Sequence, residues 1–158
     1  AALSTTDDAF VDAVAWVHRD AFESAATYDL RTPPLRRVRE TLADDIGADV
    51  RDDFDAVLEA VAPDQTDILD EVTVALLVAA RNDVLLYDIS KWGEDVGIAS
   101  KATFSRTKTR LEEAGLIDTE KVPIDVGRPR LRLTVGDDQL VGDDPAAFAA
   151  TAAELLSR

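Results

Sequence analysis

One stretch, residues 88–135, constrains this chain more than any other, because its hydrophobic period changes there from that of a helix to that of a strand. Apolar residues first recur at spacings of three and four, which predicts a short helix with one buried face. They are Ile89, Trp92 and Val96. Asp88 is the expected N-cap of this helix. Gly97 is placed to end it in the left-handed conformation that glycine favours.

A second, longer helix is predicted after Ser100, whose side chain can cap it, and it ends at Gly115. Its apolar face comprises Phe104, Leu111 and Ala114, with Thr107 on the same line. The first-turn amides of this helix suit a phosphate oxygen, because they have no partners within the helix.

Beyond the second helix, apolar and basic residues alternate, as they do on a strand with one buried face. The apolar set is Leu131, Leu133 and Val135, and the basic set is Arg128, Arg130 and Arg132. Pro123 and Gly127 mark a bend, which makes residues 117–135 a predicted β-hairpin. The apolar run 84–87 (VLLY) predicts a short first strand. Two helices joined by a tight turn and followed by a basic hairpin predict a winged helix-turn-helix.

The outward faces of the second helix mix small polar residues with long cations, a combination that suits close approach to base edges and phosphates. We therefore predict a DNA-contacting surface on this helix and the hairpin. Its residues are Ser100, Lys101, Ala102, Thr103, Ser105, Arg106, Lys108, Thr109, Arg110, Arg128 and Arg130. Lys108 stands where related folds often place a leucine, so it must snorkel or reach a phosphate. A solvated helix face is the alternative interpretation.

Net charge is unevenly distributed along the chain. The total is -15, far more acidic than a nucleic-acid-binding protein usually is. Residues 81–135 hold ten Lys or Arg against nine Asp or Glu, whereas the remainder holds seven against 23. An acidic chain with few lysines is typical of salt-loving organisms, whose proteins stay solvated through their acidic surfaces. We expect potassium ions at that surface and DNA at the neutral-to-basic region.

Several classes of site have no support in the sequence. The absence of cysteine excludes disulfides and thiolate metal sites. There is no apolar run near the roughly 18 residues of a membrane span, so we expect no membrane partner and a cytoplasmic protein. We find no glycine-rich phosphate loop, no Ser/His/Asp set and no zinc spacing, and we expect no cofactor or metal. His18 fits a solvated surface residue. The carboxylate pairs 44–45 and 52–53 could bind a divalent cation, but they fit a solvated acidic face better.

The rest of the chain is predicted to be helical, so the fold class is mainly α (α+β). Helical patterns run from Thr5 or Thr6 to about Tyr28, from Thr32 to Ile46, from Gly47 to Pro63, from Asp67 or Asp70 to Arg81, and from Pro145 to about Leu156. We assign residues 1–66 to helical packing or dimerisation, 67–136 to the winged helix-turn-helix, and 137–158 to a loop and a C-terminal helix.

Residues 35–60 outline another possible helix-turn-helix around Gly47. Its second helix would present aspartates to DNA, and phosphate repels them. They are Asp49, Asp52, Asp53 and Asp55. Packing or dimerisation is therefore the expected role of this pair.

The run VTVALLVAARNDVLLYDISKWGEDVGIASKATFSRTKTRLEEAGLIDTEKVPIDVGRPRLRL spans residues 72–133, and LRTPPLRRVRETL and VRDDFDAVL precede it. In these three segments the chain resembles the haloarchaeal TbsP-like transcriptional regulators. The resemblance implies a winged-helix, sequence-specific DNA-binding regulator, and it carries over no effector. Members of that family have a further N-terminal domain. Because the chain also lacks methionine at position 1, we expect it to be part of a longer protein.

Together these features predict a homodimeric, non-enzymatic transcription regulator that binds double-stranded DNA at a pseudo-palindromic operator. Residues 100–110 would enter the major groove, and the arginines of 128–132 would contact the backbone or the minor groove. Two other functions stay open. One is a protein-docking module whose basic hairpin engages an acidic partner, such as a general transcription factor. The other is a small enzyme that uses the acidic clusters, which requires a cleft with shifted carboxylates.

Overall fold

The computed structural model describes residues 7–25, 32–125, 127–140, 142 and 144–157. These residues form seven α-helices, one antiparallel β-hairpin and a short 3-10 turn. The helices are α1 (Asp8–Ser24), α2 (Leu35–Asp45), α3 (Ala48–Ala60), α4 (Glu71–Arg81), α5 (Leu86–Val96), α6 (Lys101–Glu113) and α7 (Pro145–Leu156); the strands are β1 (Ile117–Val122) and β2 (Arg130–Val135), and the 3-10 turn is Asp138–Leu140. The predicted fold class, mainly α with a winged helix-turn-helix, is confirmed.

The chain divides into two compact units, residues 1–31 and 32–158. In the first unit, α1 is capped by Asp7, whose carboxylate accepts from the amide of Phe10 at 3.2 Å. The predicted cap at Thr5 or Thr6 is therefore wrong by one or two residues, because an aspartate one step further along satisfies the free amide. The predicted extension to Tyr28 falls outside the described residues, and α1 ends at Ser24.

No residue of α1 is buried, although the helix carries several large apolar side chains. Trp16 is 66% exposed and Phe22 is 83% exposed. Phe10, Val14 and Val17, which belong to the predicted apolar stripe, are exposed as well. The described part of this unit thus leaves the apolar face of α1 uncovered.

In the second unit, α4 is the centre of the core. Every residue from 72 to 80 is buried, and α3, α5, α6 and both strands contact this helix. The sequence predicts one buried stripe on α4, at Val72, Leu76, Leu77 and Ala80. The structure buries the remaining faces too, as expected for a helix that is apolar all round. The winged fold is therefore built on α4.

The pair α2 and α3 packs into the same core through Leu42, Phe54 and Val57, each about 1% exposed. Two of the four aspartates on α3 point to neighbouring helices. The Asp55 carboxylate accepts a hydrogen bond from Arg39 Nε on α2 at 2.6 Å, and the Asp53 carboxylate accepts one from the side-chain amide of Asn82 at 2.9 Å. The hydrophobic core is continuous from α2 to α7. It therefore includes residues from all three segments that the sequence analysis assigned, 1–66, 67–136 and 137–158.

The predicted first strand at 84–87 is not a strand. Leu85 makes a single bridge with Arg132, and the amide of Leu133 donates to the carbonyl of Val84 at 3.0 Å. Leu86 already begins α5, so Asp88 lies in the first turn and is not the predicted N-cap. The run VLLY covers the start of a buried helix, and a short apolar run cannot be distinguished from a strand by periodicity alone.

The turn between α5 and α6 agrees with its prediction. Gly97 ends α5 in the left-handed region with φ 93°, and Ser100 caps α6. In the hairpin, Lys121 pairs with Leu131 and Val122 with Arg130. Strand β2 begins at Arg130, so Arg128 lies in the preceding loop, and the predicted row of three guanidiniums on one strand is wrong. The ladder stops there because Pro129 has no amide hydrogen to donate.

Candidate nucleic-acid interface

Helix α6 is anchored by Phe104 and Leu111, which have no exposed surface. The opposite half of the helix is exposed over its whole length. It comprises Lys101, Ala102, Ser105, Arg106, Thr109, Arg110 and, in the last turn, Glu113. Residues spaced in this way share one side of a helix, so the structure brings six of the predicted site residues onto one surface. Ala102 and Ser105 are short enough to let a ligand approach the backbone between the cations.

At the N-terminus of α6, Ser100 acts as the cap, and its hydroxyl accepts from the amide of Thr103 at 3.2 Å. The amide of Lys101 donates to Glu94 Oε1 at 3.3 Å, and Lys101 Nζ lies 3.0 Å from Glu94 Oε2. The hydrogen bonds from the Lys101 side chain and backbone lower the pKa of Glu94 below that of an ordinary glutamate. A charged carboxylate of α5 therefore occupies donors that the sequence leaves available for a phosphate.

Lys108 points away from the exposed face of α6. Its side chain is 13% exposed, and Nζ lies 2.6 Å from Glu112 Oε2. The other oxygen of Glu112 accepts from the hydroxyl of Thr119 on β1 at 2.9 Å. The predicted snorkelling of Lys108 thus ends in an ion pair within α6, and the hydroxyl of Thr119 links that pair to the hairpin.

Arg110 also has a partner in the core. Its Nη2 donates to the hydroxyl of Thr73 at 2.9 Å, and Thr73 is fully buried in α4. This hydrogen bond ties the last turn of α6 to the central helix. Although the residue is exposed as a whole, its guanidinium is already used to hold α6 in place.

The arginines of β2 make contacts outside the strand. The Arg130 guanidinium lies over the Tyr87 ring, 4.4 Å from its centroid, and 3.5 Å from Asp88 Oδ1. Nη1 of Arg132 lies 3.6 Å from Oε2 of Glu120 on β1. The β1–β2 hairpin, the wing, therefore carries cations on β2 that carboxylates partly neutralise. Arg128 is exposed in the loop before β2.

Among the described residues of 81–135, four cations make no ion pair with a described carboxylate: Arg106, Arg110, Lys121 and Arg128. Of these, Arg110 is held by the Thr73 hydroxyl. Arg106 donates to the hydroxyl of Thr103 at 3.3 Å. Lys121 lies exposed at the end of β1 beside the bend. Lys121 is not among the residues predicted for the DNA-contacting surface. The chain has only four lysines, and all of them lie within residues 81–135. That distribution is the sequence signal that could have identified Lys121 as a DNA-contacting residue.

Other chemistry has little support in the part of the chain that the structure describes. Its single histidine and its carboxylates form no group of three or more that could hold a metal ion. A cavity of about 290 Å³ beside α2 and α3 is lined mainly by apolar side chains, and Glu71 is its acidic residue. Another cavity, of about 270 Å³, is lined by the three aspartates Asp45, Asp83 and Asp88. No described helix is both long and apolar enough to span a bilayer.

Comparison with known proteins gives one match. Residues 34–153 match the family model described as "Transcriptional regulator TbsP-like, C-terminal HTH domain". That range begins at the cap of α2 and ends within α7, so it contains α5, α6, the wing and the central α4. No curated protein and no solved structure matches the chain. The matched range covers most of the sequence, and the chain belongs to the TbsP-like transcriptional regulators, with residues 34–153 as their C-terminal helix-turn-helix domain.

Proposed function

We propose that this protein is a sequence-specific DNA-binding regulator that inserts α6, its recognition helix, into the major groove. The wing then lies on the DNA backbone or in the minor groove. One observation carries the proposal: one half of α6 is anchored in the core, and the other half presents Ala102, Ser105 and Arg106 side by side. Short residues next to an arginine allow close approach and guanine recognition.

The exposed residues have separate roles in this proposal. Arg106 reads a base edge, Ser105 and Thr109 donate short hydrogen bonds, and the methyl group of Ala102 packs against a thymine methyl. Lys101, together with Lys121 and Arg128, contacts phosphates. Thr103 supports Arg106 through the hydroxyl that accepts from its guanidinium.

Three further residues of the predicted surface act at its edges or through other groups. Lys108 and Arg110 are positioning residues, since Glu112 and Thr73 hold their charged ends within the protein. Arg130 is fixed over Tyr87 at the first residue of β2, beside the bend of the wing, from where it approaches the backbone. These assignments divide the predicted surface into groups that touch DNA and groups that hold α6 in place.

We also propose that the protein is a homodimer in which α1 contributes to the contact between the two copies. Phe10, Val14, Val17 and Ala21 follow spacings of four, three and four, the pattern of a helical seam. Nothing within residues 7–25 covers this seam, and a second copy is the partner that we propose for it. A dimer presents two recognition helices to half-sites about one helical turn apart.

The acidic composition suggests a halophilic archaeal origin, with potassium ions at the acidic surface. At about 1 M salt the Debye length falls to about 3 Å, so long-range attraction to phosphate is screened. Binding would then depend on short-range hydrogen bonds from α6. The same screening reduces repulsion between DNA and the acidic remainder of the chain.

Selection of duplexes from a random-sequence library on the immobilised protein tests this function. We expect enrichment of one motif with two related half-sites. A library that stays random after repeated rounds would contradict sequence-specific binding.

The docking alternative rests on Ile124, an exposed apolar residue at the bend of the wing. It predicts retention of an acidic transcription protein on the wing and no enriched duplex. An Ile124→Ser variant that loses a protein partner but keeps the selected motif would assign Ile124 to a protein contact in addition to DNA binding.

A further inference from the structure

Two adjacent carboxylates on α5 have different surroundings. Glu94 reaches forward to α6, where its two oxygens accept from the amide of Lys101 and pair with the Lys101 ammonium. Asp95 instead forms an ion pair with Lys91, one turn earlier on the same helix. The hydrogen bond to Asp95, and more weakly the charge of Asp45 on α2, raise the pKa of Lys91. Asp95 is therefore held by Lys91 on its own helix, and Lys101 acts on it only through charge.

Glu94 occupies a position with the chemistry of a phosphate site. The start of a helix attracts an anion through its free amides and its dipole, and Lys101 adds a full positive charge there. A carboxylate already satisfies both donors. A DNA phosphate can use Lys101 only if Glu94 moves away, and the exchange of one anion for another yields little net attraction.

We propose that Glu94 competes with the DNA phosphate for Lys101 and for the first amide of α6. Glu94 holds both donors until base contacts from the rest of α6 favour binding. The inference rests on the proposed function, because it assumes that α6 faces DNA. In this role, Glu94 weakens binding that depends on phosphate contacts alone. Such contacts are the source of nonspecific DNA binding. Arg106 has no ion pair with a described carboxylate and stays available throughout.

The test compares Glu94→Gln with Asp95→Asn in the whole chain. Both substitutions remove one negative charge from neighbouring positions on α5, so they change the long-range field equally. Glutamine keeps an oxygen that can accept from the Lys101 amide, so the N-terminus of α6 stays capped. Affinity for a duplex of random sequence is measured by fluorescence anisotropy over a series of potassium chloride concentrations.

We expect Glu94→Gln to bind this duplex about two- to fivefold more tightly, in keeping with the modest strength of an exposed ion pair. Its plot of log affinity against log salt should fall more steeply by about 0.9, the contribution of one further neutralised phosphate. Asp95→Asn should change affinity less and leave the slope as in the wild type. In a Lys101→Met background, Glu94→Gln should lose most of its gain.

Equal effects of Glu94→Gln and Asp95→Asn would overturn the inference and leave only a general effect of charge. That result is distinct from failure of the proposed function. If the wild type binds the selected duplex and Arg106→Ala weakens it, α6 faces DNA whatever Glu94 does. If the wild type binds no duplex at all, both the function and the inference fall.

Discussion

Gly93 of α5 lies so close to Phe104 of α6 that a Cβ atom at position 93 would stand 2.3 Å from the ring. Phe104 has no exposed surface, and it fills the space that the missing side chain leaves. The two helices of the helix-turn-helix therefore approach each other through a glycine in the middle of α5. This contact sets the position of the recognition helix relative to the core.

Replacement of Gly93 by alanine should lower the free energy of unfolding by about 1–3 kcal/mol, because the added methyl group overpacks the contact. At an open helical position the same change would stabilise the protein by about 0.5–1 kcal/mol, so the sign of the effect is diagnostic. Urea denaturation measures it. Phe104→Leu should reduce the cost of Gly93→Ala when both are combined, since neighbouring residues couple. A stabilised single variant would contradict the close packing.

Arg106 and Arg110 should behave differently when each is replaced by alanine, although they are only four residues apart. Arg106→Ala should weaken binding of the selected duplex by about 1–3 kcal/mol and leave thermal stability unchanged, because no buried group loses a partner. Arg110→Ala should lower stability, because the buried hydroxyl of Thr73 loses its hydrogen bond. Anisotropy and thermal denaturation separate the two effects, and similar profiles would contradict the assigned roles.

Arg128→Ala tests the wing independently of α6. The residue is exposed in a loop, so its truncation should not change stability. We expect weaker binding to all duplexes alike and a salt slope shallower by about 0.9, as for loss of one phosphate contact. Glu120→Gln, a neighbouring change on β1, serves as the control for charge in the wing. Unchanged affinity and slope in Arg128→Ala would place the wing away from DNA.

Val14→Asp should dissociate the proposed dimer, because it puts a charge into the apolar seam of α1. Ala15→Asp adds the same charge on another face of the helix and should leave the dimer intact. Light scattering at high salt measures the mass of both variants. A wild-type protein that is monomeric at tens of micromolar would contradict the dimer itself.

The acidic surface should flatten the response of DNA binding to salt. We expect the slope of log affinity against log potassium chloride to be shallow above about 1 M, because cations are taken up between the acidic surface and the phosphates. Replacement of Asp44, Asp64 and Asp67 by asparagine should steepen it, since all three are exposed. Identical slopes for the wild type and this variant would show that the acidic surface plays no part.

The parts of the fold that depend on local rules could be predicted from the sequence. Ser100 caps α6 and Gly97 ends α5 because each acts within its own turn. The secondary structure of residues 84–87 could not be predicted correctly, because a continuous apolar run has neither the periodicity of a helix nor that of a half-buried strand. Burial of α4 on all sides likewise depends on what packs around it.

The candidate surface shows the same limit. The exposed face of α6 follows from helical spacing, so Ser105 and Arg106 could be placed from the sequence. The partners of Lys101, Lys108 and Arg110 could not, because Thr73 is 37 residues from Arg110 and Glu94 lies on a different helix. Sequence shows which cations are present, whereas tertiary contacts decide which of them remain available.

Amide NMR spectra of the labelled protein, recorded with and without the selected duplex, test the central claim most directly. We predict that the largest shifts fall on residues 100–110 and at the wing, around Lys121 and Arg128, while α2 and α3 change little. Shifts concentrated on α2 and α3, the other helix pair joined by a short turn, with α6 unperturbed, would contradict the assignment of α6 as the recognition helix.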